Sequence, residues 1–258
     1  MNGSMPLPSS VDGRQWACID LVSDLHLQAG EPATWLAFER HLRNTPAQAL
    51  FVLGDLFEVW VGDDILHDPL GAWEQQCVEV LAQTARRLHL FWIPGNRDFL
   101  TGHAFAEAAG MVTLADPCRL QLAHETCLLS HGDAMCLQDH DYLAFRRQVR
   151  APSWQEAFLA RPLAQRLSLA RDMRVQSQAR QQTMSVGADV DGSAARQALM
   201  NAAATRLIHG HTHRPADHDL GQGLTRTVLS DWCLDARPPR AQVLRWQQGW
   251  QRINAEKL

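Results

Sequence analysis

The sequence predicts an α/β fold interrupted by a helical insertion. Two observations carry this. Short apolar runs alternate with amphipathic helical patterns through the first half of the chain, which is the pattern of a layered α/β domain. Residues 139–203 then break the alternation with a series of helical patterns. A third observation bears on chemistry, because the apolar runs end in polar clusters that carry Asp, Asn or His.

The elements follow in order. Residues 1–15 (MNGSMPLPSSVDGRQ) lack the apolar stretch of a secretory signal and read as a leader without regular structure. Trp16–Val22, Ala49–Leu53, Leu88–Ile93, Thr126–Leu129 and Arg206–Ile208 are short apolar runs, several bounded by Gly or Pro, and read as buried strands. Pro32–Arg43 opens with proline and puts Trp35, Phe38 and Leu42 on one helical face. Gly71–Leu88 and Gly102–Ala109 also read as helices. Further strands are expected at 118–122, 225–230 and 240–247, with antiparallel pairing, because no helix separates them. Within the insertion, Asp139–Arg150, Trp154–Ala160, Pro162–Met184 and Ser193–Ala203 look helical, divided by Pro152, Pro162 and Gly187. The expected organisation is a core formed by 16–138 and 204–250, with 139–203 inserted as a helical cap.

Composition excludes several classes. The 258 residues are 46% hydrophobic and 20% charged, as in an ordinary globular chain. No apolar run is long enough for a membrane span, so a cytoplasmic protein is expected. A net charge of −4, from 24 basic and 28 acidic residues, gives no support to nucleic-acid binding. The charge is unevenly placed. Residues 142–188 hold eight arginines (146, 147, 150, 161, 166, 171, 174 and 180) against Glu156 and Asp172, so this segment is +6 and the rest −10. A basic block in an acidic protein suits anionic lipid or a phosphorylated ligand; a solvated helical face is the alternative. The cysteines at 18, 77, 118, 127, 136 and 233 form no CxxC pair and read as core residues.

Loops at the carboxyl ends of strands build the sites of α/β sheets. Here successive run ends deliver Asp24 and His26, then Asp55, Asn96, His131, and His211 with His213. Imidazole, carboxylate and amide oxygen together suit Mn2+, Fe2+ or Zn2+ better than Ca2+. Residues two apart in an extended segment point to the same side, so each D-x-H or H-x-H pair can aim at one place. Seven ligands exceed one tetrahedral ion and suit two ions about 3.5–4 Å apart with a bridging carboxylate. Asp55 stands alone on its strand end and is the natural bridge. Each fragment alone is weak, since a D-x-H means little by itself, a G-D after an apolar run is usually a turn and G-N-R-D could be a turn with an ion pair; the ordered series is the signal.

The series D-x-H, G-D, G-N-x-D, H-G and G-H-x-H, running from Asp24 to Arg214, resembles the calcineurin-like metallophosphoesterases. The resemblance implies a β-sandwich flanked by helices and a dinuclear metal centre. It places Asp24, His26, Asp55 and His213 on one ion, and Asp55, Asn96, His131 and His211 on the other. The superfamily commonly has histidine where Arg97 stands. The stretches GDLFEVWVGDD (54–64), GNRDFL (95–100), SHGD (130–133) and HGHTHRP (209–215) are similar to the UDP-2,3-diacylglucosamine hydrolase family of lipid A biosynthesis.

That resemblance implies hydrolysis of a lipid-linked UDP-sugar to UMP and 2,3-diacylglucosamine 1-phosphate, by metal-activated water attack on the α-phosphorus. It implies two divalent ions, with Mn2+ the family's metal. It also implies a helical cap over the site and peripheral association with the anionic cytoplasmic face of the inner membrane; no nucleic-acid or protein partner is inferred. Asn96, Arg97 and His211 are expected at the substrate phosphate, Arg97 through its planar fork; an ion pair with Asp98 is its other reading. Asp139, Ser177, Gln181 and Met184 fall where the family places substrate contacts, Gln181 replacing the familiar asparagine and Met184 the familiar lysine. Apolar cap residues, among them Phe145, Val149, Trp154, Phe158 and Met173, are expected to line an acyl slot or to pack the cap on the core. His209, Asp133 and Arg214 read as support, and Glu58, Asp63 and Asp64 as loop and cap residues. Two other functions stand beside this one: a metallophosphoesterase for a soluble nucleotide or phosphodiester, and a scaffold without catalysis, which the seven filled ligand positions oppose.

Overall fold

The computed structural model describes residues 9–183 and 189–255, with backbone alone over 175–183. Two six-stranded sheets face each other. The first runs in the order Trp250–Asn254, Gln242–Trp246, Ile19–Val22, Ala49–Leu53, His89–Ile93, Met111–Thr113, and its last four strands are parallel. The second runs Ser9–Asp12, Cys118–Gln121, Thr126–Ser130, Arg206–His209, Leu224–Val228, Ala216–Gly221.

The period of two along each strand sorts the core into layers. Leu21, Phe51, Leu53, Phe91 and Ile93 point between the sheets, where they meet Cys118, Leu120, Cys127, Leu129 and Ile208. Phe51 and Phe91 stack there, with centroids 4.7 Å apart. The alternate residues Val22, Leu50, Val52, Leu90 and Trp92 face helices Pro32–Asn44, Ala72–Ala85 and His103–Ala109 through Phe38, Leu42, Cys77, Leu81 and Phe105. On the other side, Leu128 and Leu207 pack under Ala195, Leu199 and Ala202 of the Gly192–Ala202 helix. Both faces of each central strand are thus covered, which is why the sequence reads there as continuous apolar runs.

Helices His140–Val149, Pro152–Leu159 and Leu163–Thr183 pack on one another beside the carboxyl ends of the strands. Arginines tie them to the core. Arg146 pairs with Asp133 at 2.7 Å, Arg166 with Asp64, and Arg174 with Glu58 at 2.8 Å, while Arg150 donates to the Gly95 carbonyl at 2.8 Å. The six cysteines are free thiols, five of them buried.

Two expectations need correction. Residues 1–15 are not wholly an unstructured leader, because Ser9–Asp12 pairs in parallel with Cys118–Gln121 and Val11 packs against the inter-sheet core. The strand expected at 225–230 is Leu224–Val228, and it is parallel to Arg206–His209. The Ala216–Gly221 strand, antiparallel to it, takes the sheet edge and so turns the chain before it re-enters.

Far from the strand ends, Asp20 is buried with Arg245 at 2.7 and 2.8 Å, Thr45 at 2.5 Å and His41 at 3.2 Å. Burial opposes its charge, yet Arg245, His41 and Thr45 hold its carboxyl at about 2, below the ordinary 3.8. A depressed carboxyl contributes stability above its unfolded pKa and loses it as pH falls through the folded one, here between about 4 and 2. Arg245→Met leaves Asp20 buried without its main partner and is expected to cost about 3–5 kcal/mol. Urea denaturation at pH 7 measures this; a loss under about 1 kcal/mol would show that His41 and Thr45 suffice.

Candidate metal centre

Five strands bring their carboxyl ends to one edge of the sandwich: Ile19–Val22, Ala49–Leu53 and His89–Ile93 from one sheet, Thr126–Ser130 and Arg206–His209 from the other. The loops beyond them run in step. Asp24 N donates to Gly54 O at 3.1 Å, His26 N to Asp55 O at 3.0 Å, and Gly210 N to His131 O at 3.0 Å. Asp24, His26, Asp55, His211 and His213 all have left-handed backbones, with φ between 48° and 66°. Side-chain residues are uncommon there, and such strain concentrates at functional sites.

Glycine makes the close approach possible. A Cβ at Gly54 (φ 90°) would sit 2.3 Å from His131 Nδ1, and one at Gly95 would sit 2.1 Å from Asp55 Oδ1. The G-D and G-N pairs of the sequence are therefore packing requirements as much as turn signals.

The seven predicted ligands converge. Ligand atoms of Asp24, His26 and His213 lie within 4.8 Å of one another, as do those of Asp24, Asp55 and His131. Asp55 straddles the cluster, with Oδ2 3.9 Å from His26 Nε2 and Oδ1 3.8 Å from His131 Nε2. Asn96 Oδ1 sits between His131 Nε2 at 2.9 Å and His211 Nδ1 at 2.8 Å. Ser23 Oγ and the His211 backbone N–H both donate to Asp24 Oδ2, at 2.5 and 2.9 Å.

The donor set fits cations. His131 Nδ1 lies 2.9 Å from the Leu53 carbonyl, to which it can only donate, so in the neutral ring Nε2 is the nitrogen that offers a lone pair toward Asn96 Oδ1 and Asp55. Asp24 Oδ1 is buried without a hydrogen-bond partner. Converging lone pairs call for a proton or a cation between them. Burial opposes charge on His26, but the Glu58 contact and the Asp55 and Asp24 charges raise it to about 9. Burial likewise opposes His131, and Asp55, Asp24 and Asp133 raise it to about 9. Asp24 is driven well below the carboxylate range by the surrounding histidines, against its burial. His211 behaves oppositely: burial and the neighbouring His131 push it down to about 3, so it stays neutral.

The calcineurin-like phosphoesterase family model matches residues 19–215, the span that contains every one of these ligands. The chain belongs to the calcineurin-like phosphoesterase family. UDP-2,3-diacylglucosamine hydrolases from Chromohalobacter salexigens and Aromatoleum aromaticum are 42% and 45% identical to this phosphoesterase, each alignment covering 87% of this chain and 91% of the relative. The enzyme of that name from Cellvibrio japonicus is 40% identical over 87% of this chain and 97% of its own.

Beside the candidate ligand cluster of this phosphoesterase lies a cavity of about 370 Å³. Its lining includes the polar residues Asn96, Arg97, His211, Glu58 and Asp139 and the apolar residues Phe99, Phe145, Val149, Trp154, Phe158 and Met173. Arg97 is anchored through its backbone N–H on Asp55 Oδ1 at 2.8 Å. Its guanidinium lies 3.7 Å from Glu58, whereas the Asp98 oxygens accept from Phe57 N and Gly95 N. Burial and the Asp55 charge push Asp98 up to about 7. Asp139 also accepts from Tyr142 N at the start of the His140–Val149 helix. The side chains of Ser177 and Gln181, and all of Met184, lie outside the described residues.

Several supporting residues take definite places. His209 is buried, with Nδ1 2.8 Å from the Gly210 carbonyl, and burial lowers it to about 4. Asp133 accepts from Tyr142 Oη at 2.5 Å and from Arg146. Asp63 accepts from the Gly102 and Phe105 N–H groups, and Asp64 pairs with Arg166. Sequence reading underrated Glu58, which reaches His26 Nδ1 at 2.9 Å. Only its place in the G-D-L-F-E run, three residues after Asp55, hinted at this.

With His26 and His131 near 9, each carries a proton at pH 7 that an entering cation displaces. Mn2+ titration of metal-stripped protein at pH 7 is expected to release about two protons per chain, and affinity is expected to fall as pH falls. Calorimetry in buffers of different ionisation enthalpy counts the protons, and none released would sink the assignment.

Proposed function

We propose that this chain hydrolyses the pyrophosphate of UDP-2,3-diacylglucosamine to UMP and 2,3-diacylglucosamine 1-phosphate. The observation that carries the reading is the mixed lining of the cavity. It reaches Asn96 and His211 of the ligand cluster, and its apolar lining comes both from the inserted helices (Phe145, Val149, Trp154, Phe158) and from the core (Trp60, Phe99, Leu100). An anionic headgroup joined to acyl chains matches both kinds of lining, whereas a soluble nucleotide leaves the apolar lining without a partner. The names carried by the relatives support the same substrate. In this reading 16–138 and 204–250 form the catalytic core and 139–203 the cap.

Asp24, His26, Asp55 and His213 would hold one divalent ion, and Asp55, Asn96, His131 and His211 a second, with Mn2+ as our assignment for both. Divalent ions held there would supply Lewis acidity toward the phosphate and would lower the pKa of the attacking water. The protein's part is placement. Arg97 presents a fixed fork at the cavity, suited to two phosphate oxygens. His211, held neutral by burial, lines the cavity without adding charge. Asp139 faces the same space, and we assign it, Ser177, Gln181 and Met184 to the sugar and headgroup side.

Peripheral binding to the anionic face of the inner membrane rests on a smaller charge than the sequence suggested, since Arg146, Arg150, Arg166 and Arg174 are engaged with the core. Arg147, Arg161 and Arg171 are exposed, as are Phe145 and Leu159, and this mixture suits a lipid headgroup layer. No described helix is long and apolar enough to cross a membrane.

Metal-stripped protein incubated with UDP-2,3-diacylglucosamine in detergent is expected to release UMP only after Mn2+ is added. Hydrolysis of a generic phosphodiester without UMP release would move the substrate to a soluble one. Asp55→Ala and His131→Ala are each expected to abolish turnover while the protein remains folded by circular dichroism; near-normal rates in either would refute the two-ion arrangement. Arg97→Ala is expected to lower kcat about a hundredfold or more. Arg237→Ala, at an exposed position outside the motifs, serves as the control, and equal effects would make Arg97 a structural residue.

A further inference from the structure

Glu58 is only 6% exposed, in the loop that follows Asp55. Its carboxylate meets cationic groups from three separate parts of the chain. Oε2 lies 2.9 Å from His26 Nδ1. Oε1 lies 2.8 Å from Arg174 Nε and 3.7 Å from Arg97 Nη1. A buried carboxylate must be paired, and here one carboxylate serves the ligand cluster, the cavity arginine and the cap together.

The His26 contact has a directional consequence. The other ring nitrogen, Nε2, faces Asp24, Asp55 and His213. A carboxylate at Nδ1 keeps the proton on that side and turns the Nε2 lone pair toward the cluster. The Arg174 contact has a mechanical one. Arg174 stands on the Leu163–Thr183 helix and also reaches Gln28 Oε1 at 3.3 Å. A second tie from this helix, Arg166 to Asp64, lands on the same 58–64 loop without touching a ligand.

We infer that Glu58 is a positioning residue that couples cation binding at Asp24, His26 and His213 to docking of the Leu163–Thr183 helix. The inference rests on the reading that this group holds a cation. A cation held by His26 fixes the ring, the ring fixes Glu58, and Glu58 fixes Arg174. Thermodynamic linkage makes the effect reciprocal, so loosening Arg174 weakens the cation.

The test uses full-length, metal-stripped protein titrated with Mn2+. Bound and free ion are counted by electron paramagnetic resonance, and hydrogen exchange of residues 163–174 is followed with and without Mn2+. The unaltered chain is expected to bind two ions and to slow exchange in this segment when loaded. Glu58→Gln keeps the shape and removes the charge. It is expected to weaken one ion about ten- to a hundredfold, spare the other, and lose the Mn2+-induced protection. Arg174→Gln is expected to weaken the same ion a few fold and to lose the protection as well. Retention of the second ion reports that the altered chain is folded, and if Glu58→Gln does not fold, Arg174→Gln decides alone. Two ions bound by Glu58→Gln at unchanged affinity would overturn the inference, as would unaltered Mn2+-dependent protection in Arg174→Gln. An unaltered chain that binds no Mn2+ would instead overturn the cation reading beneath it.

Discussion

Two buried carboxylates, Asp24 and Asp55, govern most of what surrounds them. Both sit at the edge where the sheets meet, almost without solvent. Negative charge there must be balanced, and the balance draws in His26, His131 and His213, the backbone N–H groups of Arg97 and His211, and the Ser23 hydroxyl. The sandwich exists to hold that edge rigid. Stacked apolar layers fix five strands, and the strands fix the starting point of each loop. The loops then make sharp left-handed turns that bare glycine positions leave room for.

The cap answers to the same charges. Its helices add Phe158 and Leu163 to the main apolar core and pack Trp154, Leu167, Leu169 and Met173 against it, while their arginines reach core carboxylates and a loop carbonyl. An ion pair of this kind is directional and can be exchanged for another anion, unlike a greasy interface. The cap is therefore held by charge and by apolar packing together, and Phe145, Val149, Trp154, Phe158 and Met173 also line the cavity.

Much of this could be read from the sequence because buried strands and ligand loops have local signatures. The Ala49–Leu53 run followed by Gly54-Asp55, and the H-x-H at 211–213, state both element and chemistry within a few residues. What stayed hidden depends on distant pairing. Ala216–Gly221 carries Asp217, His218 and Asp219 in an edge strand with one half-open face, so it gives no apolar signal. Ser9–Asp12 is a strand only because Cys118–Gln121 lies beside it. Glu58 is an ordinary loop glutamate until the fold brings His26 and Arg174 to it. The basic block was legible as charge, but not the fact that half its arginines face inward to the core.

The rims of the two sheets carry a consequence for behaviour in crowded solution. An open sheet leaves unpaired backbone groups along its outermost strands, which invite other chains to add on. Here each outermost strand is a poor template. Ser9–Asp12 has four residues and follows Pro6 and Pro8 in the sequence; Met111–Thr113 has three. Ala216–Gly221 presents aspartates, and Trp250–Asn254 carries Gln251, Arg252 and Asn254. Short, charged or proline-flanked rims resist edge-to-edge growth, so a fold with two open sheets avoids polymerising without having to close into a barrel.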